Sequence, residues 1–565
     1  MIDINFKTGM HIQKIGNDTF YIDKTMIIDE LIDKDGIREK EVVLVTRPRR
    51  FGKSVALQTI DYFFNIESKD RACEFFSDKK IAKTDKIKFL GTRPIIYLDF
   101  KNPGVTDFNE LLQSIIYTFD DEIDKFILNP NIDDITKKEL LEIKENIYKD
   151  EPTANIVQDL LSYFIDLYYY TYKIEPIVLI DEYDSFVLEM LNHEDIDKVI
   201  SFYRTFFGRA LKGNRNLHFA VLAGVTELTK NSVFSAMNNV YISNVLDSPN
   251  MPFTSYFGFT QDEIDPYIKL LDLESERERL KNYFDGYKIG GLELYNPDSI
   301  SKTFDELKLN KNTPLSFKWV ETGSQNLLTH ILEKRFDKKQ LSEELLSLID
   351  KKEIEISIDK EFNIDKLNKE EAFYTFLLYA GYLTATKKEN DKAAVVIPNV
   401  EVQDEIIRLT TRILNDGSDE NYIDTKKAFS TLNIPDMEKQ TKKLFKDVYH
   451  YDIKNDEKTY RNSLAVLINL LGVYTVKTEQ NVSNGRLDIA LIPFKSENRR
   501  SVLLELKVAR TEKDIEKKHK EALEQIKRKE YVTYFNENQQ KDMIALTVVF
   551  NGYDVSIKDV SDVIY

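Results

Sequence analysis

The chain has 565 residues, of which 42% are hydrophobic and 31% are charged. A chain of this length exceeds what one hydrophobic core supports, and it predicts about three or four domains. The formal net charge of −17 argues against a protein whose whole surface is basic. Any contact with nucleic acid is therefore expected in a localised groove.

The chain contains a single cysteine, Cys73, and six histidines. One cysteine excludes a disulfide within the chain, and this composition argues against a Cys/His zinc site. The N-terminal residues lack the basic and apolar regions of a signal peptide, and no run of about 18 apolar residues occurs. We therefore expect a cytoplasmic protein that does not enter a membrane.

Short apolar runs in the first half of the chain are typical of buried parallel strands that alternate with helices. Helical periodicity begins at Lys53, directly after the first of these runs. The pattern predicts an α/β domain with a parallel sheet. The predicted strands are Glu41–Thr46, Pro94–Asp99, Pro176–Asp181 and His218–Gly224.

A phosphate-binding loop is predicted where the first strand leads into its helix. The N–H groups at a helix N-terminus favour an anion, and Gly52 lets the backbone approach a phosphate closely. Lys53 is expected to reach the β- and γ-phosphates, and Ser54 to bind Mg²⁺. Arg47 replaces the first glycine of the usual G-x-x-x-x-G-K-S/T pattern, so this segment alone leaves open a basic loop that only caps a helix. The candidate nucleotide-binding residues of the loop are Arg47, Arg50, Gly52, Lys53 and Ser54.

The third predicted strand favours a nucleotide site because it ends in two acids. In this Walker B pattern, Asp181 is expected to hold Mg²⁺ through water, and Glu182 to polarise the attacking water. Thr226, after the fourth strand, is a candidate sensor of the γ-phosphate. Arg204 and Arg209 are candidate cations for the phosphates, and surface positions on an amphipathic helix are the alternative for both. The two motifs together predict ATP binding and hydrolysis.

From about residue 261 to 435, charged amphipathic patterns predict one or two helical subdomains. Leu341–Ile349 is an example, and loops are predicted at Gly290–Gly291 and Asn296–Pro297. After about residue 440 a strand and helix pattern returns. The predicted elements there are a helix at Leu464–Leu471, strands at Arg486–Ile492 and Val502–Val508, a helix at Glu512–Lys529 and a strand at Ala545–Phe550.

A second candidate site lies on two of these predicted strands, where Asp488 is followed by Glu505-x-Lys507. Two carboxylates on adjacent strands can share Mg²⁺, and residues two apart on a strand face the same side. Both acids lie in or beside apolar runs, where burial without a function is costly. The alternative is an exposed strand pair. Glu457 is a candidate third acid, and Gln525 is a further candidate on the following helix.

These motifs resemble those of bacterial proteins that join an AAA-ATPase-like N-terminal domain to a PD-(D/E)XK nuclease-superfamily C-terminal domain. The segments that carry the resemblance are Tyr21–Thr25, Arg47–Ser54, Leu98–Phe100, Leu179–Asp184, Phe234–Asn239, Phe257–Thr260, Tyr283–Tyr287, Leu294–Pro297, Gly485–Asp488, Glu505–Lys507 and Ala522–Ile526. The resemblance implies that Arg47 in place of glycine is a feature of the family.

The fold class that the resemblance implies is α/β, with an AAA-like P-loop NTPase sheet, a helical lid and linker region, and a C-terminal restriction-endonuclease-like domain. We accordingly predict an ATPase core over residues 1–255, a helical lid over 256–345, a helical linker over 346–440 and a nuclease-like domain over 441–565.

The expected function is that of an ATP-regulated, Mg²⁺-dependent nuclease, with ATP and Mg²⁺ as cofactors and DNA as the expected nucleic acid. The resemblance suggests a role in defence or mobile-element biology, and a homo-oligomer is an expected assembly. The alternative is an ATP-driven switch or oligomerisation protein whose C-terminal domain binds nucleic acid or protein without cleaving. A helicase-like motor is disfavoured because the sequence shows no paired motor domains.

Overall fold

The structure is a computed structural model that describes residues 12–14, 19–38, 41–101, 104–145, 152–191, 193–228, 237–311, 313, 315–318, 353–358, 370–414, 420–448, 456–471, 473–482, 485–493, 499–529, 531, 535 and 543–564. The chain divides into two compact units. The first consists of Met1–Asp305, Thr322–Leu327 and Ile354–Pro398, and the second of Glu306–Glu321, Leu328–Glu353 and Asn399–Tyr565. The predicted boundaries at residues 255, 345 and 440 fall inside these units, and the four-domain division stays a prediction.

A five-stranded parallel sheet forms the centre of the first unit, with strand order β2-β3-β4-β1-β5. The first four strands confirm the sequence prediction, and three of them are buried along their whole length. The fifth strand was not predicted, and most of its residues are only partly buried. The strands are β1 (Val42–Thr46), β2 (Ile95–Asp99), β3 (Ile177–Asp181), β4 (Phe219–Gly224) and β5 (Val240–Ser243).

Helices connect these strands, as expected for a parallel sheet. The helix that follows β1 packs Leu57 and Ile60 into one hydrophobic cluster with Val43 and Leu179 of the sheet. This packing fixes the loop between β1 and its helix at the carboxyl edge of the sheet. The helices are α1 (Ile27–Leu31), α2 (Lys53–Phe64), α3 (Lys69–Phe76), α4 (Phe108–Tyr117), α5 (Asp120–Leu128), α6 (Asp134–Glu145), α7 (Ala154–Tyr172), α8 (Ser185–Glu189) and α9 (Ile196–Leu211).

After this sheet the chain continues with three helices and a hairpin, and the last of these helices runs past Asp305, where this segment of the first unit ends. Thr260 and Glu263 form a capping box that begins the first of these helices. The predicted loop at Gly290–Gly291 is confirmed as the hairpin turn, where both glycines have positive φ. The elements are α10 (Gln261–Leu270), α11 (Arg277–Phe284), β6 (Tyr287–Ile289), β7 (Leu292–Leu294) and α12 (Pro297–Leu309).

Helices occur between residues 261 and 435 as predicted, but the prediction of helical subdomains missed three strands there, which form an antiparallel sheet in the order β8-β10-β9. Asn390, in the left-handed region with φ 55°, begins the turn between the last two strands. The lysines and glutamates of these short strands concealed the alternation that marks a sheet. The elements are β8 (Ile354–Ser357), α13 (Glu370–Ala380), β9 (Thr384–Glu389) and β10 (Lys392–Val396). The predicted helix at Leu341–Ile349 lies outside the described residues.

The second unit contains a five-stranded sheet in sequential order, in which only the β13–β14 pair is parallel. Leu503 and Leu504 are neighbours on one strand, so their side chains point to opposite faces of the sheet. They belong to two different hydrophobic clusters, so both faces of the sheet are covered. The strands are β11 (Tyr474–Val482), β12 (Gly485–Pro493), β13 (Ser501–Val508), β14 (Met543–Asn551) and β15 (Asp554–Asp559).

The helices of the second unit precede and interrupt this sheet. The helices predicted at Leu464–Leu471 and Glu512–Lys529 are confirmed as α17 and α18, although α17 begins seven residues earlier and α18 three residues later than predicted. No helix among the described residues is long and apolar enough to cross a bilayer. The helices are α14 (Val400–Leu414), α15 (Glu420–Thr431), α16 (Ile434–Val448), α17 (Glu457–Leu470), α18 (Ile515–Lys529) and α19 (Ser561–Ile564).

Candidate functional sites

The loop between β1 and α2 has the backbone of an anion-binding turn. Arg50 and Gly52 both have positive φ, 64° and 86°. Such angles disfavour residues with a side chain, which accounts for glycine at the second position. Lys53 begins α2, so the free N–H groups of the helix start open toward the loop.

Lys53 connects this loop to the acid that follows β3. Its buried Nζ donates hydrogen bonds to the carbonyl oxygens of Arg47 and Pro48, both at 3.2 Å. The same Nζ lies 3.8 Å from Oε1 of Glu182. The structure therefore brings the predicted phosphate-binding lysine and the predicted water-polarising glutamate together.

Arg47 uses its side chain to hold the loop against the sheet. The side chain is fully buried, and it donates to the Thr46 carbonyl at 2.9 Å and to Oγ of Ser243 at 2.8 Å. Burial lowers the pKa of Arg47 to about 10, although Asp247, at 3.4 Å, opposes this effect. Arg47 is not among the residues that line the cavity described below, so its contact with a nucleotide stays a prediction.

Asp181, at the end of β3, is fully buried and already paired with a lysine. Its Oδ1 accepts the N–H of Glu182 at 3.0 Å, and its Oδ2 lies 3.0 Å from Nζ of Lys101. Lys101 also lies 3.3 Å from Asp99, the register partner of Asp181 on β2. Although burial opposes the shift, these two acids raise the pKa of Lys101. Lys101 follows the strand end by two residues, and no sequence motif marks it as part of the site.

Asp184 connects the turn after β3 to the end of β4. Its Oδ2 accepts hydrogen bonds from the N–H and the hydroxyl of Thr226, both at 2.7 Å. Complete burial, with Glu182 nearby, raises the pKa of Asp184. Thr226 is itself fully buried and does not line the cavity, so the structure places this candidate sensor behind the turn.

A cavity of about 270 Å³ opens beside the phosphate-binding loop. The polar part of its wall includes Lys53, Ser54 and Glu182. Arg50 lines it as well and donates to Asp298 of α12 at 2.9 Å. Apolar contacts come from a second group of lining residues, Phe20, Ile22, Ile27, Tyr256 and Phe259. A wall with one polar and one apolar part suits a nucleotide, which carries phosphates at one end and a base at the other.

The two candidate arginines of α9 lie outside this cavity. Arg204 and Arg209 are both exposed, and Arg209 pairs with Asp159 at 2.5 Å. Neither belongs to the cavity wall within the described part of the chain. Their proposed contact with phosphate therefore stays a prediction.

In the second unit, Asp488 on β12 and Glu505 with Lys507 on β13 come together as predicted. Oδ2 of Asp488 accepts the N–H of Leu506 at 2.9 Å. Nζ of Lys507 lies 3.2 Å from Oε1 of Glu505 and 3.3 Å from Oε2 of Glu457, the candidate third acid on α17. The two-residue spacing on β13 thus places the acid and the lysine on one face.

Burial dominates the electrostatics of Glu505. It raises the pKa of Glu505 to about 8, and the neighbouring Asp488 adds to the increase while Lys507 opposes it. Oε2 of Glu505 is buried and has no hydrogen-bond partner among the described residues. A buried carboxylate oxygen without a donor is a costly feature unless a ligand completes it.

The donor set fits a hard cation such as Mg²⁺, which binds oxygen ligands. Asp488 and Glu505 would hold it, with the free Oε2 of Glu505 as the open ligand. Within the described residues no group of three or more His, Cys, Asp or Glu side chains is arranged to hold a metal. Water or phosphate oxygens would therefore complete the shell, which is the usual condition for Mg²⁺.

Two family models match parts of the chain. Residues 10–234 match the model described as "Predicted AAA-ATPase", and residues 455–560 match that of the PD-(D/E)XK nuclease superfamily. The chain joins an AAA-ATPase-like segment to a PD-(D/E)XK nuclease-superfamily segment. This confirms the family resemblance found in the sequence.

A protein of Azotobacter chroococcum mcd 1, named "Uncharacterized protein in vnfD 5'region", is 25% identical over 326 residues, which make up 57% of this chain and 54% of the relative. The chain thus spans about half the length of that relative. The structure of the Aeropyrum pernix ORC2 protein (ADPNP-ADP complexes) aligns with 70% of this chain and 91% of its own, at 12% identity and a TM-score of 0.25. A likeness this low carries no argument.

The nuclease-superfamily segment contains two further polar contacts beside the predicted acids. Gln525, the candidate on α18, donates to the hydroxyl of Tyr531 at 3.2 Å, and this hydroxyl donates to the carbonyl of Arg486. Gln525 therefore supports the start of β12. Arg461 on α17, which sequence analysis missed, lies 3.2 Å from Oδ1 of Asp488.

Proposed function

We propose that this protein binds and hydrolyses ATP at its phosphate-binding loop and cleaves nucleic acid, with DNA as the first candidate, at Asp488, Glu505 and Lys507. The meeting of Lys53 with Glu182 supports the first activity. The observation that carries the second is the buried acid pair, in which one oxygen of Glu505 has no donor among the residues that the structure describes.

The chain's own groups have distinct tasks in this proposal. Asp488 and Glu505 hold the cation, and bound Mg²⁺ would supply an activated water and neutralise charge on the phosphate. Lys507 holds Glu505 and Glu457 at 3.2 and 3.3 Å, so it orients the acid pair. Lys53 and Ser54 bind the phosphates of ATP, and Glu182 orients water there.

The proposal includes regulation of the nuclease by the nucleotide state, since both sites occur on one chain. We further propose a cytoplasmic location, assembly into a homo-oligomer, and a role in defence or mobile-element biology. The motivation for these points is the resemblance of the sequence to nuclease-coupled ATPases.

The direct test incubates the purified full chain with end-labelled single- and double-stranded DNA, with Mg²⁺ or EDTA, and with ATP, a non-hydrolysable analogue or no nucleotide. We expect Mg²⁺-dependent cleavage that Asp488→Asn reduces by at least a hundredfold and that Lys520→Ala, an exposed change on α18, leaves unchanged. No cleavage by the wild type under any condition, or equal cleavage by Asp488→Asn, contradicts the nuclease.

A different result with the same purified protein would support the alternative, an ATP-driven switch or oligomerisation protein. Mass photometry would then show assembly that depends on ATP, that Glu182→Gln makes permanent, and that Glu505→Gln does not affect. Such assembly without cleavage would replace the nuclease proposal.

A further inference from the structure

A buried arginine connects α17 to the candidate metal ligand on β12. The side chain of Arg461 is 10% exposed. Its Nη1 lies 3.2 Å from Oδ1 of Asp488, and its Nη2 lies 2.9 Å from Oε1 of Glu479. One guanidinium therefore bridges a buried carboxylate and a carboxylate that is 47% exposed.

The arginine occupies an oxygen that a metal ion would use. Oδ2 of Asp488 already accepts the N–H of Leu506, so both oxygens of this carboxylate hold protein donors. A divalent cation bound to Asp488 would lie close to the guanidinium. Because two cations at this distance repel each other, Arg461 and the metal ion compete for the same carboxylate.

Glu479, the outer partner of Arg461, has an unusual backbone conformation. Its φ is 49°, in the left-handed region that residues with a side chain rarely adopt. The β11–β12 ladder pairs Thr478 with Ile489 and Gln480 with Leu487 and omits Glu479, which stands opposite Asp488. Backbone strain of this kind clusters at functional sites, because the surrounding structure must maintain it.

Lys507 bridges a buried and an outer acid at Glu505, as Arg461 does at Asp488. It lies between the buried Glu505 and the 41% exposed Glu457, at 3.2 and 3.3 Å. Each buried acid thus has a cation, and each cation has a second, outer acid. The outer acids can keep the two cations when a metal ion takes the inner acids.

The helix that carries Arg461 is anchored through the residue that precedes the arginine. The ring of Tyr460 stacks on Phe550 at 4.5 Å, and its hydroxyl donates to the carbonyl of Gly552 at 2.9 Å. Nε of Arg461 has no acceptor among the described residues. Among the described residues, two ion pairs hold the guanidinium.

We propose that Arg461 is a positioning residue that stands in for the metal ion at Asp488, and that Glu479 draws it away when a divalent cation binds. The inference rests on the proposed metal-dependent site, but it concerns affinity for the cation and not the cleavage step.

The test is a titration of the full chain with Mn²⁺ in the absence of nucleotide. The electron paramagnetic resonance signal of free Mn²⁺ measures how much of the ion is bound. Arg461→Met removes the competitor, so we expect roughly tenfold tighter binding. Glu479→Gln removes the negative charge of the outer acid, so Arg461 pairs more strongly with Asp488 and we expect roughly threefold weaker binding. The double variant should match Arg461→Met. Asp488→Asn, which removes the site, identifies the signal that belongs to it.

Opposite directions are the decisive result, because an arginine that only supports the fold would weaken binding in both variants. Weaker binding in both, an effect of Glu479→Gln that persists in the double variant, or no Asp488-dependent Mn²⁺ binding in Arg461→Met would overturn the inference. DNA cleavage is measured separately. Opposite shifts in Mn²⁺ affinity without any cleavage would contradict the nuclease and still support the role of Arg461.

Discussion

At the scale of one residue, Glu505 of the second site is an acid whose ionisation is unfavourable in the folded protein. Its side chain is fully buried, one oxygen lacks a donor among the described residues, and burial raises its pKa to about 8. The folded protein therefore holds this proton more tightly than the unfolded chain does. The stability that the protonated form contributes is complete below the ordinary pKa of glutamate, and it is lost as the pH rises through about 8.

This shift predicts a pH-dependent effect of Glu505→Gln on the metal-free protein. The variant has no proton to lose, so it should gain stability relative to the wild type as the pH rises from about 5 to 9, by on the order of 3 kcal/mol. Urea unfolding in EDTA at several pH values, followed by a signal from the second unit, measures the difference. A difference that stays constant across this range contradicts the prediction.

Some basic residues of the two sites could be predicted from the sequence and others could not. Lys53 and Lys507 belong to motifs with fixed spacing, and both lie where the motifs predict. Lys101 and Arg461 are two among 79 lysines and arginines, and no local pattern distinguishes them. Their partners, Asp181 and Asp488, come from other elements, so only the fold brings each pair together.

At the scale of elements, the turn after β3 packs so closely against the end of β4 that the last residue of β4 must be a glycine. A Cβ on Gly224 would lie 2.4 Å from Oδ1 of Asp184 and 2.6 Å from the ring of Tyr183. Both neighbours are fully buried, so neither has room to yield. This contact explains why the chain from Gly224 to Thr226 can lie on Asp184.

Gly224→Ala should therefore displace Asp184 and separate the turn carrying Glu182 from β4. We expect a loss of about 1–3 kcal/mol in unfolding free energy, as for other overpacked cores, together with reduced ATP hydrolysis. Gly208→Ala is the matched control, because that glycine lies on α9 with nothing within 4 Å of its Cβ position. Urea denaturation and a phosphate-release assay test both variants, and equal stability of the two would contradict the clash.

Sequence patterns predicted the elements unequally, for physical reasons. Strands buried on both faces, such as β1, β3 and β4, are continuous apolar runs and were found. The β9–β10 hairpin has exposed, charged residues on much of its length, so its composition resembled that of a solvated helix. β5 has only four residues, which is too short a run to show a clear pattern, and most of them are only partly buried.

At the scale of the whole molecule, the proposed regulation has a thermodynamic consequence that a binding experiment can test without cleavage. If the nucleotide changes the affinity for DNA by some factor, DNA must change the affinity for the nucleotide by the same factor. Coupling energies of about 1–3 kcal/mol are typical, so we expect a factor of roughly five to 150 in both directions.

The cleavage-deficient Asp488→Asn chain keeps the DNA intact during this measurement. Fluorescence anisotropy gives its affinity for labelled DNA with and without a non-hydrolysable ATP analogue and Mg²⁺. A fluorescent nucleotide gives the reverse affinity with and without DNA. Adding Lys53→Ala, which removes the ammonium that lies 3.8 Å from Glu182, should abolish both effects. If neither ligand changes the affinity for the other, the two sites are not coupled. If the two factors differ from each other, at least one assay reports binding at a different site.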